Sequence, residues 1–268
     1  MDDMITITIL GGRGSIPVSG KQFSLYGGAT SSVLIRADGQ TVILDAGTGL
    51  MHLADYIQNE KIIPIFLTHS HIDHVLGLPL CPLVFSPEYQ FDIYAAERDG
   101  RDGYAQVSAL MAPPLWPVGP NQLPAKICFH HLESVTEHDG WIVESMEGFH
   151  PGGVSVFRVT IQGKKIVYLT DCTITEGNRM QWMEFCQDCD LLLCDGQYSD
   201  EQWKTCSTFG HNQWTAMARF GRDCRAKQMR ILHHDPTHSD QILDQANAQV
   251  HEICTVCSLA YEGEEIVL

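Results

Sequence analysis

The chain has 268 residues, of which 44% are hydrophobic and 19% charged, a balance that supports a packed core and excludes intrinsic disorder. Its formal net charge of −16, with no basic run or aromatic–basic ladder to offset it, weighs against a nucleic-acid partner. Nowhere do 18 apolar residues run together, which argues against a membrane span; the opening Met1–Leu10 lacks a basic region and reads as a strand, so a cytoplasmic location is expected.

Ile5–Leu10, Ser32–Arg36 and Thr41–Leu44 are rich in β-branched residues and predict strands. Asp45-Ala-Gly-Thr-Gly49 interrupts that pattern, and Leu50–Gln58 has helical spacing of apolar residues. Ile62–Thr68 is a strongly apolar strand that runs straight into a histidine cluster. Beyond Pro79, Pro82 and Pro87, Phe91–Ala95 reads as a strand and Arg101–Met111 as a helix ended by Pro113-Pro114. Ala112–Pro124 is proline-rich and carries Trp116; it reads as a loop that either covers a pocket or packs on the body of the protein.

The second half repeats the theme. Trp141–Met146, Val154–Ile161, Lys165–Leu169, Leu191–Cys194 and Met229–Leu232 predict strands, and Arg179–Gln187, Gln213–Arg222 and Ser239–His251 predict helices. Two runs of strands and helices with no break in composition predict a single α/β (α+β) domain over 1–268. Its expected form is two packed sheets with helices outside.

The chemistry-bearing stretch is Phe66-Leu-Thr-His69-Ser-His71-Ile-Asp73-His74. A strand delivers His69, and in extended backbone His71 projects to the same side. Asp73 and His74 follow where the chain turns toward a short helix. Three imidazoles and a carboxylate within six residues form an N/O donor set suited to zinc, manganese or iron. The alternative, a polar loop with surface histidines, does not explain why an apolar strand leads directly into it.

This segment resembles the His-x-His-x-Asp-His motif of the metallo-β-lactamase superfamily, and the likeness extends over most of the chain. The resemblance implies a four-layer αβ/βα sandwich of two mixed sheets with a dinuclear metal site at the sheet edge. Further family ligands have counterparts in Phe149-His150-Pro-Gly-Gly153, Val167-Tyr-Leu-Thr-Asp171 and Arg230-Ile-Leu-His233-His234-Asp-Pro236. The implied division gives His69, His71 and His150 to one metal and Asp73, His74 and His233 to the other, with Asp171 bridging. His233 is preferred to His234 as the first polar residue after Leu232, although both follow the strand.

Two metals about 3.5–4 Å apart can bridge a water, bring its pKa to about 7 and so supply a hydroxide nucleophile. Asp73 belongs to this catalytic set as well as to the ligands. An Asp at position 171, where cysteine-ligated antibiotic-cleaving members carry Cys, argues against lactam hydrolysis. His71 departs from the glutamate of diiron oxygen-reducing members. The resemblance is closest to the phosphodiesterase branch, which includes the tRNA 3′-processing endonuclease and the phosphoribosyl cyclic phosphodiesterase. It rests on Gly11-Gly-Arg-Gly-Ser-Ile-Pro17, Asp45-Ala-Gly-Thr-Gly49, Cys194-Asp-Gly-Gln-Tyr198 and Gly210-His-Asn212. It implies that Asp195, in place of the branch's Glu, orients His211, which donates a proton to the leaving group. A helix cap near His211 is the alternative.

A long Gly- and Lys-rich arm of the kind that grips tRNA is missing from the sequence, so a small or cyclic phosphodiester is the expected substrate. Ester, thioester or lactone hydrolysis on the same metals, and a metal-binding sensor or partner protein without turnover, are the alternatives. Oligomeric state stays open, a homodimer included. Asp235 and His238 are candidate partners behind the ligands, while Tyr198 and Trp214 read as packing residues. The ten cysteines read as free thiols. Two pairs, Cys186/Cys189 and Cys254/Cys257, have thiolate-zinc spacing, against which buried apolar thiols are the preferred reading.

Overall fold

Seven strands form each of two mixed sheets in the computed structural model, which describes residues 4–138 and 140–268. The first sheet contains β1 (Thr6–Gly11), β2 (Ser32–Ala37), β3 (Gln40–Leu44), β4 (Ile62–Phe66), β5 (Gln90–Ala95) and β6 (Lys126–His131). The second contains β7 (Val135–His138), β8 (Trp141–Gly148), β9 (Val154–Ile161), β10 (Lys164–Leu169), β11 (Leu191–Asp195), β12 (Met229–Leu232) and β13 (Cys257–Leu259). The C-terminal β14 (Glu265–Val267) returns to pair with β1, giving the orders β14-β1-β2-β3-β4-β5-β6 and β13-β12-β11-β10-β9-β8-β7.

Each sheet is built the same way. An antiparallel meander (β1 to β3; β7 to β10) gives way to a parallel run (β3 to β6; β10 to β13). The parallel strands are covered on both faces, which is why Ile63-Pro-Ile-Phe66 and Leu191-Leu-Leu-Cys194 are continuously apolar instead of alternating. Between the sheets lie Ile7, Ile9, Val33, Phe66, Val143, Phe157, Tyr168 and Leu193. Outside the second sheet pack α3 (Arg179–Cys186), α5 (Trp214–Asp223) and α6 (Asp240–Ile253), through Trp182, Met217, Phe220 and Leu243. Outside the first lie α2 (Gly103–Leu110) and several 3-10 turns, through Leu50, Leu53, Val84 and Val107. This is the expected four-layer arrangement of two packed sheets with helices outside.

Several elements differ from the sequence expectation. The predicted helix at 50–58 is a 3-10 helix over Thr48–Asp55, because Gly47 and Gly49 press against neighbouring backbone and tighten the turn. Strands β6, β7 and β14 have no counterpart among the expected strands because they are short or polar, whereas β13 lies in the apolar, strand-like segment around Cys254 and Cys257. The helix α4 (Asp200–Cys206) was not expected either, despite its capping box from Ser199 and Gln202. The loop at 112–124 packs on the first sheet's outer face through Trp116, Val118 and Leu123. None of its residues lines the two cavities beside the histidine cluster.

Candidate metal centre

The parallel strands end at one edge of the sandwich, and the chemistry-bearing residues sit just beyond those ends, where open α/β sheets place their ligands. The segment after β4 carries His69 and His71, and α1 (Ile72–Val75) carries Asp73 and His74. Asp171 follows β10, Asp195 ends β11 and His233 follows β12, while His150 comes from the β8–β9 turn and His211 precedes α5. Asp45, Asp171 and His233 adopt left-handed backbone with φ of 63°, 51° and 64°. That conformation costs energy for residues with a side chain and concentrates at functional sites.

All seven residues read from the sequence converge. His69, His71 and His150 form one group and Asp73, His74, Asp171 and His233 another, with candidate donor atoms within 4.8 Å of one another in each. In the first, His69 Nε2 lies 2.8 Å from His71 Nδ1, and His150 Nε2 lies 3.1 Å from the same atom. In the second, His233 Nε2 lies 3.1 Å from Asp73 Oδ2, and His74 Nε2 lies 3.4 Å from it. Asp171 stands between the groups: Oδ2 is 3.8 Å from His69, 3.7 Å from His150 and 3.4 Å from His74, and Oδ1 is 3.2 Å from His233.

The outer ring nitrogens are already committed. His74 Nδ1 donates to Asp45 Oδ2 at 2.7 Å, His150 Nδ1 to the Gly210 carbonyl at 3.1 Å, and His233 Nδ1 to Gln197 Oε1 at 3.1 Å. Each bond turns an Nε2 lone pair inward, the arrangement found behind metal-bound histidines. His74 Nε2 is buried and has no hydrogen-bond partner among the described residues. Inward-facing nitrogens about 3 Å apart match the edge of a tetrahedral set around an ion with bonds of about 2 Å. The donor set therefore fits divalent cations, as the fold implies.

Electrostatics sort the residues into the same two groups. Burial pushes the pKa of His69 well below the ordinary imidazole value and also lowers those of His71 and His150. At His74 and His233 burial acts in the same direction but is outweighed by the facing carboxylates. His74 is held well above its usual value by Asp73, Asp171 and Asp45, and His233 is raised to about 9 by Asp171 and Asp73. Asp73 and Asp171 are held far below the usual carboxylate range, their own burial overcome by these histidines.

A supporting layer surrounds the cluster, and most of it was not singled out in the sequence. Asp45 accepts from the Thr68 N–H at 2.8 Å and the Tyr168 hydroxyl at 3.0 Å while holding His74. The Ser15 N–H donates to Asp73 Oδ2 at 2.6 Å. Gln197 follows Asp195 closely in sequence, but its hydrogen bond to His233 is made only in the folded chain. His211 Nδ1 lies 3.2 Å from Asp195 Oδ2 and 3.9 Å from Asp171, with both partners buried. The α5 N-cap is Gln213, two residues beyond His211, and makes no side-chain cap hydrogen bond, while His211 itself turns to Asp195.

The remaining candidates lie off the cluster, where His234, Tyr198, Trp214 and the cysteines follow the preferred readings. His234 points away and donates from Nε2 to the Ala260 carbonyl at 2.8 Å, with burial lowering its pKa to about 3. Asp235 reaches the cluster only through Gln197, at 3.5 Å, and His238 bonds Gln202 instead. Tyr198 and Trp214 are buried, and the Tyr198 ring lies edge-on to His211 with centroids 5.9 Å apart. Cys186, Cys189, Cys254 and Cys257 lie in the apolar layer outside the second sheet, in none of the donor clusters found among the described residues. Burial pushes the Cys189 and Cys257 thiols up to about 12, the wrong direction for thiolate ligands.

The family described as Beta-lactamase superfamily domain matches residues 40–234. Ribonuclease Z of Treponema pallidum is 22% identical over 286 residues, covering 88% of this chain and 88% of that protein. The metallo-beta-lactamase fold protein YhfI from Bacillus subtilis superposes over 100% of both chains with a TM-score of 0.76 at 17% identity. A diphosphatase from the PhnP family superposes with a TM-score of 0.72 at 20% identity, covering 98% of this chain and 97% of that one. With the family's sandwich in place and its His/Asp donors gathered at one sheet edge, the chain belongs to the beta-lactamase superfamily as a metallo-hydrolase.

Proposed function

We propose that the protein is a phosphodiesterase acting on a small or cyclic phosphodiester, with a pair of divalent ions, zinc first, held by the seven residues named above. His69, His71 and His150 would hold one ion, Asp73, His74 and His233 the other, and Asp171 both. Such a pair supplies Lewis acidity toward a phosphoryl oxygen and makes a water nucleophilic near neutral pH. The chain's own residues do the rest. Asp45, Gln197 and the Gly210 carbonyl orient the imidazoles, and burial keeps bulk water from competing for them. His211 stands beside the cluster with Nδ1 on Asp195, which leaves its other ring nitrogen to protonate a departing alkoxide.

The observation that carries this reading is the pairing of His211 with Asp195 next to a complete donor set. Hydrolysis of a phosphodiester needs a proton delivered to a poor alkoxide leaving group, which that pair is placed to give; ester or lactone hydrolysis would use the same pair, so the substrate assay decides between them. The test is turnover of bis(p-nitrophenyl) phosphate after loading with Zn²⁺ or Mn²⁺, against acyl lactones and glutathione thioesters. No metal-dependent diester cleavage under any loading refutes the proposal, and faster acyl cleavage supports the ester or lactone alternative. Less than one equivalent of metal after loading would support a protein without turnover.

A second reading, cleavage of RNA, is favoured by the relatives named Ribonuclease Z. Against it stand the net charge of −16 and a link of only twenty residues between His150 and Asp171, occupied by β9 and β10. Endonucleolytic cleavage of a precursor tRNA at a rate above that of the small diester would decide for RNA.

A further inference from the structure

We propose that the turn Arg98-Asp99-Gly100-Arg101 is an anion subsite beside the metal centre, so that the preferred substrate carries a second phosphate or similar anionic group beyond the scissile diester. This rests on the phosphodiesterase reading of the neighbouring site.

The turn is a two-residue reversal. Arg98 N–H donates to the Arg101 carbonyl at 3.0 Å and Arg101 N–H to the Arg98 carbonyl at 2.9 Å. Asp99 and Gly100 both take positive φ, 50° and 69°, as a type I′ turn requires. The two arginines are thus directly opposed in a bridge, and opposed residues share a face. Like charges in that relation destabilise the pairing unless anions accompany them, and Glu147 accompanies only Arg98.

The surroundings hold this arrangement against the cluster. Gln106 donates from Nε2 to the carbonyls of Ala96 and Arg101, both at 2.8 Å, and accepts from the Ser70 hydroxyl at 2.7 Å. Ser70 separates His69 from His71, so the turn is tied to the donor-bearing segment itself. A cavity of about 350 Å³ lies between, bounded by His71, Arg98, Arg101 and Gly152. At Gly152 a Cβ would meet only His71 Nε2, at 3.9 Å, so the cavity continues to that ring. A second cavity of about 280 Å³ lies over Asp171, His211 and His233 and shares His71 with the first. The cleft is therefore two-lobed and joined at His71, with the reacting centre in one lobe and the arginine turn in the other.

The two cations are not equivalent. Arg98 pairs with Glu147 through Nη1 and donates to Ser155 Oγ at 2.9 Å, which leaves its buried Nε without a partner among the described residues. The exposed Arg101 side chain makes no ion pair or hydrogen bond among the described residues, and Asp99 is the one carboxylate among the residues lining the cavity. Arg98 shapes the lobe, held where Gly153 leaves room for its guanidinium, and Arg101 is the cation left over for a ligand. Arg101 can take two oxygens of one phosphate, whereas a neutral group there would leave its charge unpaired.

The test compares two probes, thymidine 5′-(p-nitrophenyl phosphate) with and without a 3′-phosphate, on the metal-loaded protein and its Arg101→Ala, Arg101→Lys and Arg101→Glu variants. Wild-type protein is expected to prefer the 3′-phosphorylated probe in kcat/KM, mainly through KM. That preference should fall about 10–100-fold in Arg101→Ala, recover partly in Arg101→Lys and reverse in Arg101→Glu. Calorimetric binding of thymidine 3′,5′-bisphosphate against thymidine 5′-monophosphate should show the same loss of preference without any turnover. Cleavage of both probes with no preference, or with a preference untouched by Arg101→Ala, overturns the subsite and leaves the phosphodiesterase reading standing. Cleavage of neither, with an Arg101-dependent preference for the bisphosphate in binding, does the reverse.

Discussion

Each imidazole in the cluster owes its usefulness to the atom behind it. Asp45 is the clearest case, because one buried carboxylate holds His74 Nδ1 while accepting from Thr68 and Tyr168. Asp45→Asn is expected to lower metal affinity and activity about 10–100-fold with the fold intact, read by metal titration beside circular dichroism. Asp171 and His211 lie a few ångströms apart but serve different tasks in the proposed mechanism. Asp171→Ala should lose both metal content and activity. His211→Ala should keep its metal and lose about 10²–10⁴ in kcat, most for substrates with poor leaving groups. Metal loss in His211→Ala, seen by elemental analysis, would move that residue from proton donor to ligand.

At the scale of elements, the site depends on parallel strands being held in register so that their ends stay level. Asp190, at the start of β11, is one clamp on that register. It accepts from the Lys165 N–H at 3.0 Å and Lys227 Nζ at 2.9 Å, joining β10, β11 and the approach to β12. Burial alone would raise its pKa, but the Lys165 N–H and the Lys227 and Lys164 ammonium groups outweigh it, and the folded-state value is depressed. A depressed carboxylate stabilises the fold fully above its unfolded pKa of about 3.9 and loses that contribution as pH falls through the folded value. Asp190→Asn is therefore expected to cost about 1 kcal/mol at pH 7 and to flatten the acid limb of the stability curve below about pH 4. Chemical denaturation across pH 2–7 checks it, and an unchanged acid limb would count against the clamp.

Over the whole molecule, two buried carboxylates and five inward-facing imidazoles at one edge are a concentration of polar groups that cations would satisfy. Saturation with Zn²⁺ or Mn²⁺ at about a hundred times the dissociation constant should add about 2.7 kcal/mol to stability for each ion bound. For a chain of this size that corresponds to a rise of about 5–10 °C in Tm, reversed by a chelator and read by differential scanning calorimetry. No helix among the described residues is long and apolar enough to cross a membrane. The acidic surface and the arginine turn at the cleft act on different length scales. Net charge shapes encounter at a distance, and the turn acts only on a group already inside the cleft.

The sequence by itself determined what depends on neighbours along the chain. Period-two and continuously apolar runs marked β1 to β5 and β8 to β12, and six consecutive residues after β4 declared an N/O donor set, since strand geometry alone puts His69 and His71 on one side. It was silent on β14, too short to show a period, and on the polar β6 and β7. The tertiary structure alone decided which residues from distant strand ends meet. His233, preferred to His234 from the sequence, faces the cluster, but its contacts with Asp73 and Asp171 join residues 160 and 62 positions apart that no alternation rule brings together. Asp45 and Gln197 became supports, and Arg98 and Arg101 opposed each other beside His71, only once two sheets closed face to face. Such contacts are set by packing across the sandwich, and local propensity carries no record of them.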